Sequence, residues 1–207
     1  MTARPTRALL ICVCAGMLIL LAAAPRFSLG SARNPRANSR KQDNSVSNEA
    51  SLRAFRGVAS VLTSPRCINC HVPDDGPRQG DDNHAHAMNV KRGTDGKGSA
   101  ALHCSACHQS ENSKTLHGPP GAADWQLPPA KTPMAWRGLS TGELCRTLKD
   151  PAKNGNRSLQ DLIPHMDTSL VRWAWNPGPG RSVPPLSHDD FVSRLKEWID
   201  TGAACPE

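Results

Sequence analysis

Two pentapeptides of the same pattern constrain this 207-residue chain more than any other feature. Residues 67–71 read Cys-Ile-Asn-Cys-His and residues 104–108 read Cys-Ser-Ala-Cys-His, so both follow C-x-x-C-H. In a helical turn, positions i, i+3 and i+4 share one face, so two thiols and one imidazole point to the same side. This spacing is typical of the covalent attachment of haem c.

The two motifs therefore predict two haem c groups. In each motif the thiols bond the haem vinyl groups, and the histidine ligates the iron from the proximal side. The residues predicted to attach the haems are Cys67, Cys70, Cys104 and Cys107, and the predicted proximal ligands are His71 and His108.

Zinc binding and disulfide bonds are the alternative uses of these four cysteines. A gap of 33 residues separates Cys70 from Cys104, whereas zinc modules typically have ~12–20 residues between their pairs. Neither alternative explains why a histidine follows each pair, so both are less favoured than haem.

The remaining cysteines predict one structural disulfide. Cys12 and Cys14 lie in the apolar leader, which leaves Cys145 and Cys205 in the rest of the chain. Outside the cytoplasm such a pair is expected to oxidise and to join two helices. Two buried free thiols are the alternative.

The sixth ligand of each iron decides whether the haem passes electrons or binds a small molecule. His86 and Met88 lie in a polar segment long enough to fold back over the first haem. His165 and Met166 follow His108 by enough chain to pass around the edge of a haem. We expect one haem to take His86 or Met88 and the other His165 or Met166, with Met134 as the next candidate.

The first 48 residues predict export followed by a tether. A basic start precedes an uninterrupted apolar run of 17 residues, Ala8–Ala24, which is typical of a signal peptide or a short membrane anchor. Residues 1–29 are therefore a predicted leader, cleaved or retained. Residues 30–48 are polar and predict a disordered linker. The sequence thus places residues 49–207 in the periplasm, with any membrane attachment made by the leader.

Composition and charge agree with this interpretation. The formal charge is +7, but removal of residues 1–29 takes three arginines and no acidic residue and leaves +4. Haem propionates would lower it further, so the basic balance does not indicate nucleic-acid binding. Aromatic residues make up only 4 % of the chain and Tyr is absent, so haem surfaces are expected to complete the core.

The predicted fold is mainly α, a small irregular dihaem cytochrome c-type domain with long loops wrapped around two covalent haems. Apolar residues at helical spacing predict a helix from Ser47 or Asn48 to Pro65 and another that starts near Ser187 and ends at Gly202. The run Ser140–Glu143 is a capping box that starts a helix carrying Cys145, and a further helix is expected to start at Ser158 and to end or kink at Pro164.

Several separate blocks resemble bacterial dihaem c-type proteins, often labelled isoquinoline 1-oxidoreductase subunit-like. The resemblance covers roughly residues 54–207. It implies a haem protein that accepts electrons from a partner dehydrogenase, with a molybdenum hydroxylase as the candidate, and that is not itself the hydroxylating subunit. The blocks are PRCINCH (65–71), HAMNVKRG (86–93), CSACH (104–108), PMAWRG (133–138), LCRTLKDPAKNG (144–155) and TGAACP (201–206).

Two functions fit these observations. The first is an electron carrier between a redox partner protein and a respiratory acceptor, with both irons bound on both sides. The alternative is a dihaem enzyme or sensor that leaves one iron open to peroxide or another small ligand. The sequence favours the carrier, because dihaem peroxidases are generally larger two-domain chains.

Overall fold

The described part of the molecule begins with a long helix. The computed structural model describes the backbone of residues 35–207 and side chains from Asp43 onward, so the predicted leader and residues 30–34 lie outside the described residues. Helix α1 spans Pro35–Leu62. The expected disordered linker is therefore wrong from Pro35 to Asn48, where the chain is helical. Arg, Lys and Gln are good helix formers, and a helix extends at little cost from an established turn.

Helix α1 packs against the C-terminal helix α6, which spans His188–Asp200. Phe55 and Val58 of α1 are fully buried, as is Trp198 of α6. The rings of Phe55 and Trp198 have centroids 4.9 Å apart. Leu195 and Phe191 lie on the same buried stripe, which agrees with the periodicity predicted from the sequence.

The ends of these helices follow local sequence signals. Helix α1 stops at Leu62 before Pro65. Ser187 caps α6 by accepting a hydrogen bond from the Asp190 amide. Gly202 follows α6 with a φ of +104°, a left-handed conformation that glycine adopts without the steric cost of a Cβ atom.

Two shorter helices complete the main core. Helix α3 spans Thr141–Lys149 and helix α4 spans Leu159–His165. Both begin with a reciprocal capping box, Ser140 with Glu143 and Ser158 with Asp161. Helix α4 ends directly after Pro164, as expected.

The predicted bridge between Cys145 and Cys205 is present in the structure. Cys145 is completely buried in α3, whereas Cys205 follows α6. The disulfide therefore ties α3 to the C-terminal segment.

The chain between α1 and α3 consists mostly of loops. Its regular elements are helix α2 and two antiparallel hairpins with two-residue strands, β1 with β2 and β3 with β4. Single 3-10 turns occur here at Ala87–Asn89 and Cys104–Ala106, and another, Trp173–Trp175, follows α4. The bounds are α2 Pro65–Ile68, β1 Arg78–Gln79, β2 His84–Ala85, β3 Gly98–Ser99, β4 Leu102–His103 and, after α4, helix α5 Ser169–Arg172.

Within residues 35–207, none of the helices has the length and apolar character needed to span a membrane.

Replacing both Cys145 and Cys205 by Ala is expected to destabilise the protein. The bridge closes a segment with a sequence separation of 60 residues, and loss of such a cross-link typically costs about 2–4 kcal/mol of unfolding free energy. Urea unfolding of the oxidised wild type and of the double variant measures the difference. Reactive thiols at both positions in the folded, oxidised wild type would contradict the bridge.

Candidate functional site

The first C-x-x-C-H motif begins in helix α2 and continues as a tight turn. The backbone amides of Cys70 and His71 both donate to the Cys67 carbonyl, at 3.2 and 3.1 Å. This turn places the two cysteines and the histidine on one face, as the spacing predicts. Neither Cys67 nor Cys70 forms a disulfide.

The His71 side chain is held by a segment more than sixty residues away. Its Nδ1 donates to the Met134 carbonyl at 2.8 Å, while the amides of Trp136 and Arg137 donate to the His71 carbonyl at 2.9 and 3.1 Å. The imidazole stacks on the Trp136 indole, with ring centroids 3.4 Å apart. Because a carbonyl oxygen only accepts, the proton lies on Nδ1 and Nε2 keeps a free lone pair.

His71 lines an apolar pocket formed by α1, α3, α4 and α6. His165 and Met166, from the end of α4, line the same pocket, and so does Met134. Apolar side chains such as Val58, Leu148, Leu162 and Phe191 form most of the remaining wall. Three of the five candidate distal ligands therefore lie beside the first motif.

Both histidines of this pocket are neutral at physiological pH. Burial lowers the pKa of His71 to about 4, although the hydrogen bond to Met134 opposes this effect. Burial also lowers the pKa of His165 to about 4, and the nearby Arg157 guanidinium contributes. A neutral imidazole keeps a lone pair on one nitrogen, which is the form that binds a metal.

Loop 150–157 positions helix α4, and with it His165. The buried Asn154 side chain donates to the carbonyls of Leu148 and Arg157 at 2.7 and 2.9 Å. Its oxygen accepts from the Arg157 amide at 2.8 Å. Asn154 thus links the end of α3 to the start of α4.

The second motif repeats the geometry of the first. The amides of Cys107 and His108 donate to the Cys104 carbonyl at 3.2 and 2.9 Å. His108 Nδ1 donates to the Pro120 carbonyl at 2.7 Å, and its ring stacks on Trp125 with centroids 4.5 Å apart. The His108 Nε2 lone pair is therefore also free, by the same tautomer argument.

His86 lies beside the second motif. Its ring centroid is 6.0 Å from that of His108. His86 Nδ1 donates to the Ala87 carbonyl at 2.8 Å, which leaves its Nε2 with a lone pair. Met88, in contrast, is 72 % exposed.

These positions reverse the expected association of the candidates with the motifs. The segment of His86 and Met88 does not fold over the first motif but lies next to the second. His165 and Met166 do not reach the second motif but line the pocket of the first. The reason is topological, because α4 packs against α6 and α1, and these helices surround His71.

Several residues of the site carried no recognisable signal in the sequence. Trp125 and Trp136 stack on the two motif histidines, yet they stand at unrelated distances from them along the chain. The carbonyls of Met134 and Pro120 are backbone atoms that any residue supplies. Only the resemblance block PMAWRG marked one of these segments.

The described side chains form no group of three or more His, Cys, Asp or Glu suited to an all-protein metal site. A haem supplies four ring nitrogens itself, so its iron needs only one or two protein ligands. The arrangement at each motif satisfies that requirement. The buried Trp136 Nε1, which has no hydrogen-bond partner among the described residues, is a further donor next to His71.

Comparison with known proteins identifies no relative. No protein-family model matches the chain, no curated protein matches it and no solved structure matches it. The resemblance to dihaem proteins therefore stays a prediction from the sequence.

Replacing Asp161 by Asn is expected to destabilise the cap of α4 in a pH-dependent manner. The hydrogen bonds from Ser158 to the Asp161 carboxylate lower the pKa of this group. A lowered folded pKa stabilises the protein above the unfolded pKa of ~3.9, and the effect is lost as the pH falls through the folded pKa. The difference in unfolding free energy between wild type and variant should be full at pH 7 and shrink below about pH 4.

Glu143→Gln at the cap of α3 is the matched comparison. Ser140 lowers the pKa of Glu143 in the same way, so a similar pH profile is expected. A difference that stays constant between pH 7 and pH 3 for Asp161→Asn would contradict the assigned role.

Proposed function

We propose that this chain is an exported dihaem c-type cytochrome that carries electrons from a partner dehydrogenase to a respiratory acceptor. The observation that carries the proposal is the shared geometry of the two motifs. In each, a C-x-x-C-H turn presents a histidine whose Nδ1 is held by a backbone carbonyl and whose ring stacks on a tryptophan. Outer-shell hydrogen bonds of this kind are typical of metal-binding histidines, because they set the tautomer and the ring orientation.

The four motif cysteines fit thioether attachment. All four are free in a chain whose other described cysteines form a disulfide. Burial raises the pKa of Cys67 to about 12 and that of Cys70 to about 11, so both remain thiols. A bound haem would supply reversible one-electron chemistry at its iron, while the chain attaches it and excludes water.

The positions of the distal candidates favour a carrier over an enzyme with an open iron. At the first motif, His71 Nδ1 points to the Met134 carbonyl, so Nε2 faces away from the Met134 backbone. A distal ligand must approach from beyond Nε2, which disfavours Met134. His165 and Met166 line the pocket on other walls, and His165 is the better donor because Met166 belongs to the buried core.

At the second motif the separation of two histidines supports ligation on both sides. The ring centroids of His86 and His108 are 6.0 Å apart. If both Nε2 atoms faced a shared iron, bonds of ~2.0–2.1 Å to it would be compatible with a ring separation of this order. His86 is therefore the proposed sixth ligand here, and the exposed Met88 is not.

The sequence supports the proposed location, and the resemblance supports the proposed direction of transfer. The apolar leader and the disulfide are typical of an exported protein. A dehydrogenase, for which the resemblance suggests a molybdenum hydroxylase, is the proposed electron donor.

The mature protein, produced together with a c-type maturation system, is expected to retain two haems after extraction with acidified acetone. The thioether bonds prevent their release. Replacing Cys67 and Cys70 by Ala should remove one haem, and Cys104 with Cys107 the other, as counted by absorbance and intact mass. Replacement of Cys145 and Cys205 is the control and should leave both attached. A native protein that contains zinc and no haem would exclude the proposal.

Replacing His165 by Ala is expected to open the first haem, and His86→Ala the second. Loss of the sixth ligand leaves a position at which carbon monoxide binds ferrous iron. The absorption spectrum of the reduced protein with and without carbon monoxide measures this binding. His84→Ala is the matched control, since the exposed His84 ring bonds to Asp82 and Gln79 instead.

Rapid binding of carbon monoxide by the wild type would instead favour the enzyme or sensor. If neither histidine variant gains carbon monoxide binding, the assignment of the sixth ligands is wrong. Met166→Ala would then be tested at the first site, where the loss of a methionine ligand would lower the potential.

A further inference from the structure

Arg92 is a buried arginine that has no carboxylate partner among the described residues. It exposes only 2 % of its surface. One arm of its guanidinium, Nη2, donates to the carbonyls of Val72 and Asp74 at 2.8 and 3.0 Å. Its Nε, also buried, has no hydrogen-bond partner in the described structure.

A buried guanidinium without a counter-ion is unusual, because buried charges are normally paired. Arg66, also buried, shows the usual solution and forms an ion pair with Asp81 at 2.6 Å. The carboxylates with the largest electrostatic effect on Arg92 are those of Asp75 and Asp74. Both residues are exposed, and Asp74 pairs with Arg78 at 2.7 Å instead.

The location of Arg92 links it to the first motif. Val72 directly follows His71, so the hydrogen bond to its carbonyl holds the backbone that carries the proximal histidine. The guanidinium lies within electrostatic range of the Cys70 thiol and the His71 ring. Arg157 adds a second positive charge that acts on His71, whereas the charge of Arg66 is offset by Asp81.

The second motif has a different charge environment. The charged side chain that affects Cys104 is the carboxylate of Asp95. Arg181 is the cation that affects His108, and it also faces Arg66 and Asp81. Arg92, which acts on the first motif, is therefore the buried arginine without a carboxylate partner among the described residues.

We infer that Arg92 is a positioning residue that raises the reduction potential of the haem attached through Cys67 and Cys70. A fixed positive charge favours the iron state with one positive charge fewer, which is the ferrous state, and it acts strongly in a water-poor interior. This inference rests on the proposed function. It concerns the charge of Arg92 rather than any contact with the haem.

The test is the reduction potential of each haem in the holoprotein, measured by spectroelectrochemical titration. The two single-haem variants assign the two potentials. Arg92→Gln is expected to lower the reduction potential of the first haem. At a fixed applied potential the ratio of oxidised to reduced haem should rise on the order of tenfold, which is about 59 mV for a one-electron couple. The second haem should shift less.

Arg92→Lys and Arg53→Gln are the controls. Lysine keeps the positive charge but lacks the planar guanidinium group, so the reduction potential of the first haem should stay closer to wild type than in Arg92→Gln. Arg53 is exposed on α1, and its replacement should leave both potentials unchanged. A purely structural role predicts instead that the lysine and glutamine variants lose stability without a selective shift in potential.

A second variant tests the charge without altering Arg92. Asp75→Asn removes the exposed carboxylate that most offsets the Arg92 charge, so it should raise the potential of the first haem. The expected shift is about twofold in the same ratio, since an exposed charge is screened. This variant remains decisive if Arg92→Gln does not accumulate.

Different results would overturn the proposed function and the role of Arg92. A wild type with no haem would overturn the proposed function and the role of Arg92 together. If both haems are attached and their potentials are unchanged in Arg92→Gln, the role of Arg92 alone is overturned. If Arg92→Gln does not fold, unchanged potentials in Asp75→Asn overturn it. Equal shifts at both haems would also overturn it, since the inferred effect is specific to the first.

Discussion

The hydrogen bond from Nδ1 of each motif histidine to a backbone carbonyl is the constraint on which the site depends. It places the free lone pair on Nε2 and fixes the ring orientation. The two carbonyls belong to Met134 and Pro120, within long loops, so these loops must be held in place. Amides of Trp136 and Arg137 hold the first by binding the His71 carbonyl. Asn112 holds the second by accepting from the Gly121 amide and from Trp173 Nε1.

The core supports the two motifs unequally. The large apolar cluster joins α1, α3, α4 and α6 and surrounds the pocket of His71. The cluster near the second motif contains only Val72, Cys104 and Leu127, with Trp125 packed against it. A chain with few aromatic residues gains little protein-only burial there. The proposed haem would add apolar surface at this place.

The two motifs also differ in the charged side chains around them. Asp81 neutralises the charge of Arg66, whereas Arg92 Nη2 donates hydrogen bonds to the carbonyls of Val72 and Asp74. Desolvation of a guanidinium without a counter-ion opposes folding, a cost that the pair of Arg66 and Asp81 offsets. Two motifs with the same C-x-x-C-H pattern thus differ in the charges that surround them.

The sequence by itself determined the features that depend on short-range spacing. These features are the two C-x-x-C-H turns, the stripes of α1 and α6, the capping box at Ser140, the helix start at Ser158 and the stop at Pro164, and all follow from contacts within a few residues. The Cys145–Cys205 pair followed by elimination. The sequence did not predict that α1 extends back to Pro35, because a polar stretch beside an established helix is compatible with both helix and coil.

Only the tertiary structure decided which distal candidates lie near which motif. His165 lies beside His71 because α4 packs on α6 and α1, and His86 lies beside His108 because the loop after β2 turns toward the second motif. The tryptophans that stack on the histidines, the carbonyls that orient them and the unpaired charge of Arg92 are likewise set by long-range packing. Such contacts join residues far apart in the chain, so no local periodicity or spacing records them.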